Sequence, residues 1–421
     1  MDVVIDRLGA RGDGIAGTEA GPVYIPDALP GEAVRIGKTR PRGDGVRAAT
    51  REIVASSPDR VAPDCPHFGA CGGCVAQHMA PRLYADWKRD LVATALNRAG
   101  VVAEVLPPVC VPPHTRRRVQ LAFRTVGDSV VLGFREAQSD RIVDMTACTI
   151  ASPGIVNILP ALRDFLPRFA PRGEVAVTET EAGLDVAVFP RKEPDLDLRM
   201  DAPAFCTGAG ICRLSWVGGD GDPEPILSTA EPVVRFGDIA VPIPPDCFLQ
   251  PTARGEAALQ TFVKETVAES AAVADLYAGC GAFSLPVAAL GKPVHAVETV
   301  TAQTAAIQAA GGHCGVTVET RDLVRQPLRA KELARFDAVI LDPPRAGAAP
   351  QIEQLASSGV KLIVYVSCNP ATFARDARVL TGAGYAIGAV QPFDQFLWSH
   401  HIELAAVFRS ARDSASVYNP V

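Results

Sequence analysis

Between residues 248 and 421 the chain repeats one pattern: a short apolar run, a turn, then a stretch with helical spacing. The runs are VADLY, PVHAVE, FDAVILDPP and KLIVYVSC. In the last, Leu362 to Val366 carries no polar alternation, which predicts a strand buried on both faces. Strand and helix in alternation predict a doubly wound, Rossmann-like α/β sheet with helices on both sides. Ligands of such sheets bind outside the carboxyl ends of the strands. Gly279, Glu298, Asp342 and Cys368 stand at those ends and become the candidates for chemistry.

The preceding sequence has a different character. Residues 1–58 hold RLGARGDGIAG, GPVYIPDALPGE and VRIGKTRPRGDGVRA, short strand-like pieces joined by Gly, Pro and Asp turns. They predict a small OB-like β-barrel, with Lys38, Arg40, Arg42 and Arg47 as a basic edge. Residues 59–247 predict a mixed α+β domain. YADWKRDLVATALNRAG has helical spacing and stops at Gly100. RRVQLAFRT, SVVLGFRE and RIVDMTACTI are expected as antiparallel strands, and EVAVTETE with LDVAVF as a second pair. Three domains follow: 1–58, 59–247 and 248–421.

A net charge of −6 gives no general attraction to nucleic acid, so any such contact has to be local. HTRRRVQLAFR supplies a second basic group, Arg116, Arg117, Arg118 and Arg124. On a strand Arg116 and Arg118 share a face, which predicts phosphate contacts there. No apolar run reaches the roughly 18 residues of a membrane span. MDVVIDRLGARGDG lacks the basic start and apolar core of a secretory leader, so a cytoplasmic location is expected. Thiols stay reduced there, and the eleven cysteines are expected to be free, metal-bound or catalytic.

PDCPHFGACGGCVAQH packs Cys65, Cys71 and Cys74 into ten residues. Thiolates this close in sequence are the usual cage for zinc or an iron–sulfur cluster. Zinc sites more often use two tight cysteine pairs, and here there is one, which favours a [4Fe-4S] cluster. A fourth ligand is needed. Cys148 in DMTACTI is the first candidate; Cys110, Cys206 and Cys212 compete on spacing.

VADLYAGCGAFSLPVAAL gives strand, glycine turn and helix, so the backbone at Gly279 and Gly281 can come close to a ligand. The third glycine of a dinucleotide fingerprint is absent. Glu298 ends the next strand, where a carboxylate can accept both hydroxyls of a ribose. A nucleoside cofactor without pyrophosphate fits, and S-adenosylmethionine is the one expected. LDPPRAG then sets Asp342 beside two prolines, a rigid wall for a flat base.

Beside a methyl donor and a base-sized slot, the thiol of Cys368 has a purpose. The C5 carbon of a pyrimidine is a poor nucleophile. Addition of a thiolate at C6 makes C5 enolate-like and able to attack a sulfonium methyl. A base has then to remove the C5 proton. Glu403, opening a late apolar strand in FDQFLWSHHIELAAVF, is the first candidate, and His401 is its rival.

DLYAGCGAFSLPVA, LDPPRAG, VSCNPATFARD and the final HIE together resemble the RNA 5-methyluridine methyltransferase family, over nearly the whole chain. The resemblance implies Cys368 as nucleophile and Glu403 as base. It implies Gln250, Tyr277, Glu298 and Asp342 as the S-adenosylmethionine site. GFREAQSDRIVDMTACTI resembles the segment that supplies the fourth cluster cysteine, which points to Cys148. The N-terminal region resembles a TRAM domain, an RNA-binding module. The combination is similar to enzymes that methylate one uridine of 23S ribosomal RNA, which implies an RNA partner and a monomer. A transfer RNA enzyme is the alternative; an iron–sulfur electron carrier and a non-catalytic RNA-binding protein are more distant ones. Thr252, Leu397 and Ser399 stand where the family more often has Asn, Pro and Thr.

Overall fold

The computed structural model describes residues 1–190, 192–219 and 223–410. The C-terminal half contributes β1 (Val273–Leu276), β2 (Val294–Glu298), β3 (Val316–Thr320), β4 (Ala338–Leu341) and β5 (Leu362–Ser367). It continues with β6 (Tyr385–Ile387), β7 (Gln391–Asp394) and β8 (Glu403–Ser410). These strands make most of a nine-stranded sheet whose order starts β3-β2-β1-β4-β5, all parallel. Every residue of β1, β4 and β5 is buried, as unalternating apolar runs require. β8 then joins β5 antiparallel, with Ser367 opposite Leu404. β6 and β7 both pair with β8. The expected α/β sheet is present, with this antiparallel edge added.

The packing does not follow the boundary expected at residue 247. Helix α1 (Pro81–Ala99) buries Val92 and Leu96 in one cluster with Leu276, Leu341 and Phe373 of the C-terminal half. Val109–Cys110 forms the ninth strand, parallel to β7. The hairpin Val233–Phe236/Ile239–Pro242 buries Val234, Phe236 and Val241 with Leu285 and Val287. Both flanks of the central region thus complete the core of the C-terminal half.

That central sheet has six strands, in the order Glu224–Ser228, Ile211–Trp216, Gly183–Phe189, Arg172–Thr180, Arg118–Val126, Ser129–Gly133. Leu121, Phe123, Val175 and Val186 pack on Leu159, Leu162 and Phe165 beneath it. Of the strands expected here, RIVDMTACTI is not one. Its amides at Val143 and Met145 reach Phe134 and Leu132, and the chain then leaves the sheet as a loop. Gly133 permits that approach, since a Cβ there would stand 2.2 Å from the Val143 carbonyl.

Residues 1–55 form a separate six-stranded sheet, order Asp2–Val4, Ala33–Arg42, Gly45–Ala55, Gly21–Ile25, Gly14–Thr18, Arg7–Leu8. Its two end strands are only two residues apart in sequence, so the sheet has to roll on itself. Val3, Ile5, Val23, Ile25, Val34 and Ile36 fill the roll. Among the described residues no helix is long and apolar enough to cross a membrane.

Candidate active site and thiol pocket

The strand register builds the site. β5 runs out at Ser367 and β8 starts at Glu403, and the last antiparallel pair is Ser367 with Leu404. One residue further along both chains stand Cys368 and Glu403. A cleft of about 570 Å³ opens there, and Gln250, Tyr277, Glu298, Asp342, Cys368 and Glu403 all line it. The residues expected from sequence to do the chemistry therefore share one cavity. His401, the rival base, is not among the lining residues. Its ring lies beside Phe396 and Arg345, and burial with neighbouring positive charge holds it down to about 4.

β1 leads into the glycine turn. Tyr277 adopts φ 64°, Gly279 φ 56° and Gly281 φ 93°. A positive φ on a bulky aromatic is a strained conformation of the kind that clusters at ligand sites. The Tyr277 hydroxyl is buried with no hydrogen-bond partner. Glu298 anchors the turn: its Oε2 accepts Gly279 N–H at 3.0 Å, and its Oε1 accepts Thr299 N–H at 2.7 Å and Val300 N–H at 3.0 Å. A carboxylate has about four lone-pair positions, so acceptor capacity remains.

Two glutamines bind the halves of the cleft together. Gln250 donates to Asp342 Oδ2 at 3.1 Å and accepts from the Gln395 amide. The same Gln395 nitrogen reaches Glu403 Oε2 at 3.3 Å, while Glu403 Oε1 is buried without a partner. Gln395 was not foreseen from sequence; it lies beside the motif without a charge or thiol to mark it. Gly255 makes its place, because a Cβ there would be 2.7 Å from Gln395 Oε1. Thr252, the departure from the family's usual Asn, caps helix α2 (Ala253–Thr266) by accepting Gly255 N–H at 3.0 Å.

The cleft is rich in carboxyls. Burial pushes Asp342 up to about 8, helped by Asp275 and opposed by Gln250. Burial and then Asp342 push Glu403 well above the carboxylate range. Burial, then Glu403 and Asp342, raise the Cys368 thiol to about 11, and Arg345 opposes them. In the free protein burial therefore favours the protonated form of each of the three groups. A cationic ligand in the cleft would favour the carboxylate forms.

Cys65, Cys71, Cys74 and Cys148 line a second, smaller pocket together with Phe68, Phe134 and Met145. Gly73 N–H donates to Cys71 Sγ at 3.4 Å. Gly72 is tied to the Arg135 carbonyl at 2.9 Å, and a Cβ on it would clash there. Burial raises the thiols of Cys71 and Cys148, and that of Cys74 to about 12. Of the competing cysteines, Cys110 is exposed on the edge strand, and Cys206 and Cys212 are buried elsewhere. Among the described residues no group of three or more His, Cys, Asp or Glu is close enough to hold a single metal ion.

The arginine run differs from its expectation. Arg117 turns inward to Glu256 at 2.6 Å, and Arg118 pairs with Asp246 at 2.8 Å. Arg116 lies over the Phe396 ring at 5.9 Å. Arg124 alone of the four is exposed. The strand starts at Arg118, and of the four only Arg117 makes an ion pair with the C-terminal half. Arg42 is similarly occupied by Asp13 and Tyr24, whereas Lys38 and Arg40 are exposed.

A doubly wound sheet with a thiol and a carboxyl at adjacent strand ends, facing a glycine turn, is the arrangement of an α/β enzyme that binds a nucleoside cofactor beyond its strand ends. Residues 316–411 match the family described as tRNA (uracil-5-)-methyltransferase. A Caulobacter vibrioides protein named as an RNA methyltransferase is 42% identical, covering 97% of this chain and 99% of its own. The 23S rRNA (uracil(1939)-C(5))-methyltransferase RlmD of Halomonas elongata is 32% identical, covering 96% and 88%. The solved Pyrococcus abyssi tRNA (uracil-54, C5)-methyltransferase, bound to S-adenosyl-L-homocysteine, superposes with TM-score 0.75 at 24% identity, over 97% of this chain and all of that one. The chain belongs to the RNA uracil-C5 methyltransferase family.

Proposed function

We propose that this enzyme methylates C5 of one uridine in 23S ribosomal RNA through a covalent bond between Cys368 and C6. The observation that carries this reading is the cleft in which Cys368, Glu403 and the Glu298-anchored glycine turn meet. Bound S-adenosylmethionine supplies the methyl group. Glu298 and the turn hold its ribose, and Asp342, Gln250 and Tyr277 complete its site. Cys368 gives up its thiol proton to solvent and adds to C6 as the thiolate, and the C5=C6 electron pair moves toward the C4 carbonyl, so that C5 takes the methyl. Glu403 then removes the C5 proton, the pair re-forms C5=C6, and the C–S bond breaks. Glu403 Oε1, buried in the cleft with no protein partner, is left available for this role.

A ribosomal target is supported by the 32% identity with RlmD over nearly all of both chains. We further assign the four-thiol pocket to a [4Fe-4S] cluster, held by Cys65, Cys71, Cys74 and Cys148. The convergence of four thiols and the N–H···S contact at Cys71 support it. The rolled N-terminal sheet is assigned as a TRAM-like RNA-binding domain, with Lys38 and Arg40 toward phosphate.

The test pairs two variants with labelled RNA on denaturing gels. Cys368→Ala gives no adduct and no product while still binding S-adenosyl-L-homocysteine. Glu403→Gln accumulates a methylated protein–RNA adduct. An adduct in Cys368→Ala, or rapid turnover in Glu403→Gln, overturns the roles. Mapping 5-methyluridine in a deletion strain tests the target: loss from transfer RNA, with ribosomal RNA unchanged, overturns it.

A further inference from the structure

Glu403 follows a turn, Phe396–His401, that has little regular structure of its own. What fixes it comes from helix α1, more than 300 residues earlier. Lys88 is fully buried. Its ammonium donates to Asp394 Oδ1 at 2.8 Å, to the Phe396 carbonyl at 3.3 Å and to the His401 carbonyl. One cation thus closes both ends of the turn. Tyr84, one helical turn before Lys88, donates its hydroxyl to the other oxygen of Asp394 and accepts Trp398 N–H at 2.7 Å. Trp398 holds φ 57°, a conformation a tryptophan adopts only under such restraint. Its carbonyl accepts Val75 N–H at 2.7 Å and Ala76 N–H at 3.1 Å, so the chain just after Cys74 braces the same turn.

Two covalent neighbours carry this restraint to the base. Asp394 immediately precedes Gln395, whose amide meets Glu403. His401 stands two residues before Glu403. We propose that Lys88 is a positioning residue for proton removal: by binding Asp394 and both ends of the turn it fixes Glu403 against the C5 proton. The proposal rests on the reading of Glu403 as the base. In a water-excluded pocket a misplacement of about 1 Å costs on the order of 100-fold in a positioned step. Lys88 itself bonds neither β5, on which cysteine addition depends, nor the β1 turn that holds the cofactor's ribose, so both steps are expected to change far less than proton removal.

The experiment is a single-turnover series with Lys88→Met, Tyr84→Phe and Glu403→Gln in the full chain. Methyl transfer into RNA, adduct lifetime and the Kd of S-adenosyl-L-homocysteine are followed together. Lys88→Met is expected to release RNA at least tenfold more slowly than wild type and to accumulate methylated adduct, with the Kd within about threefold. A merely structural role lowers the active fraction and slows every step together, with no adduct. If Lys88→Met does not fold, Tyr84→Phe carries the test, with release slowed severalfold and adduct visible. Wild-type release in the folded variant, or loss of all steps in proportion, overturns the proposal. Absence of adduct in Glu403→Gln overturns the base assignment instead, so the two failures are distinguishable.

Discussion

Replacing Glu298 by glutamine tests the cofactor site at the point where it is most constrained. The side chain stays the same size, but one oxygen becomes an N–H₂ group. Oε1 serves two backbone amides and Oε2 serves Gly279. The amide oxygen is expected to keep the pair at Thr299 and Val300, which sets the new N–H₂ against Gly279 N–H. Two donors then face each other and the Gly279 amide loses its acceptor. The loss is one charge-assisted hydrogen bond, about 1.5–3 kcal/mol. At about 2–4 °C per kcal/mol for a unit of this size, the ligand-free melting temperature falls by about 3–12 °C. The ribose separately loses a charged acceptor for one hydroxyl, about 1.5–3 kcal/mol or roughly 10–150-fold in Kd. Scanning fluorimetry reads the first effect and isothermal titration with S-adenosyl-L-homocysteine the second. A Kd within threefold of wild type refutes the ribose assignment, and an unchanged melting temperature refutes the anchoring of the turn.

Gly255→Ala places a Cβ 2.7 Å from Gln395 Oε1, so it is expected to displace Gln395 and slow C5 proton removal at least tenfold; a wild-type rate measured by tritium release from C5 would sink the bridging role. Asp342 is protonated below about 8 in the free protein, and a cation beside it favours the carboxylate, so binding releases a proton. S-adenosylmethionine affinity should therefore rise as pH climbs from 6 to 8, by up to about tenfold per unit, while the uncharged thioether product stays flatter; equal slopes by titration calorimetry contradict this. The thiol of Cys368 titrates near 11, so its alkylation by iodoacetamide, followed on that peptide by mass spectrometry, should quicken about tenfold per pH unit from 7 to 10; a plateau near neutrality shows a lower thiol pKa. Protein purified without oxygen should be brown, with iron and sulfide lost in Cys148→Ala; colourless protein carrying one zinc per chain rejects the cluster.

Much of the catalytic half was legible because its signals are local. Unalternating, short, β-branched runs such as Leu362–Val366 read as buried strands, glycines at 279 and 281 carry the positive φ their turn requires, and Cys368 falls at a strand end by counting. The three clustered cysteines are local too. What the sequence could not supply was partner choice across long separations. Arg117 reads as surface charge in a basic run, yet its nearest carboxylate, Glu256, is 139 residues away. Lys88 lies in the helix expected from YADWKRDLVATALNRAG with nothing local to single it out, yet the tertiary fold buries it against Asp394, 306 residues on. RIVDMTACTI has strand composition, but beyond the amides of Val143 and Met145 its backbone leaves the sheet, and Cys148 lines the thiol pocket. Burying a charge is costly unless a partner is already in place, so its position depends on the assembled neighbours and not on its own flanking residues. The sequence alone therefore determined which residues end the strands. The tertiary structure decided that Cys368 and Glu403 end theirs side by side, because that depends on the antiparallel register of β8 on β5.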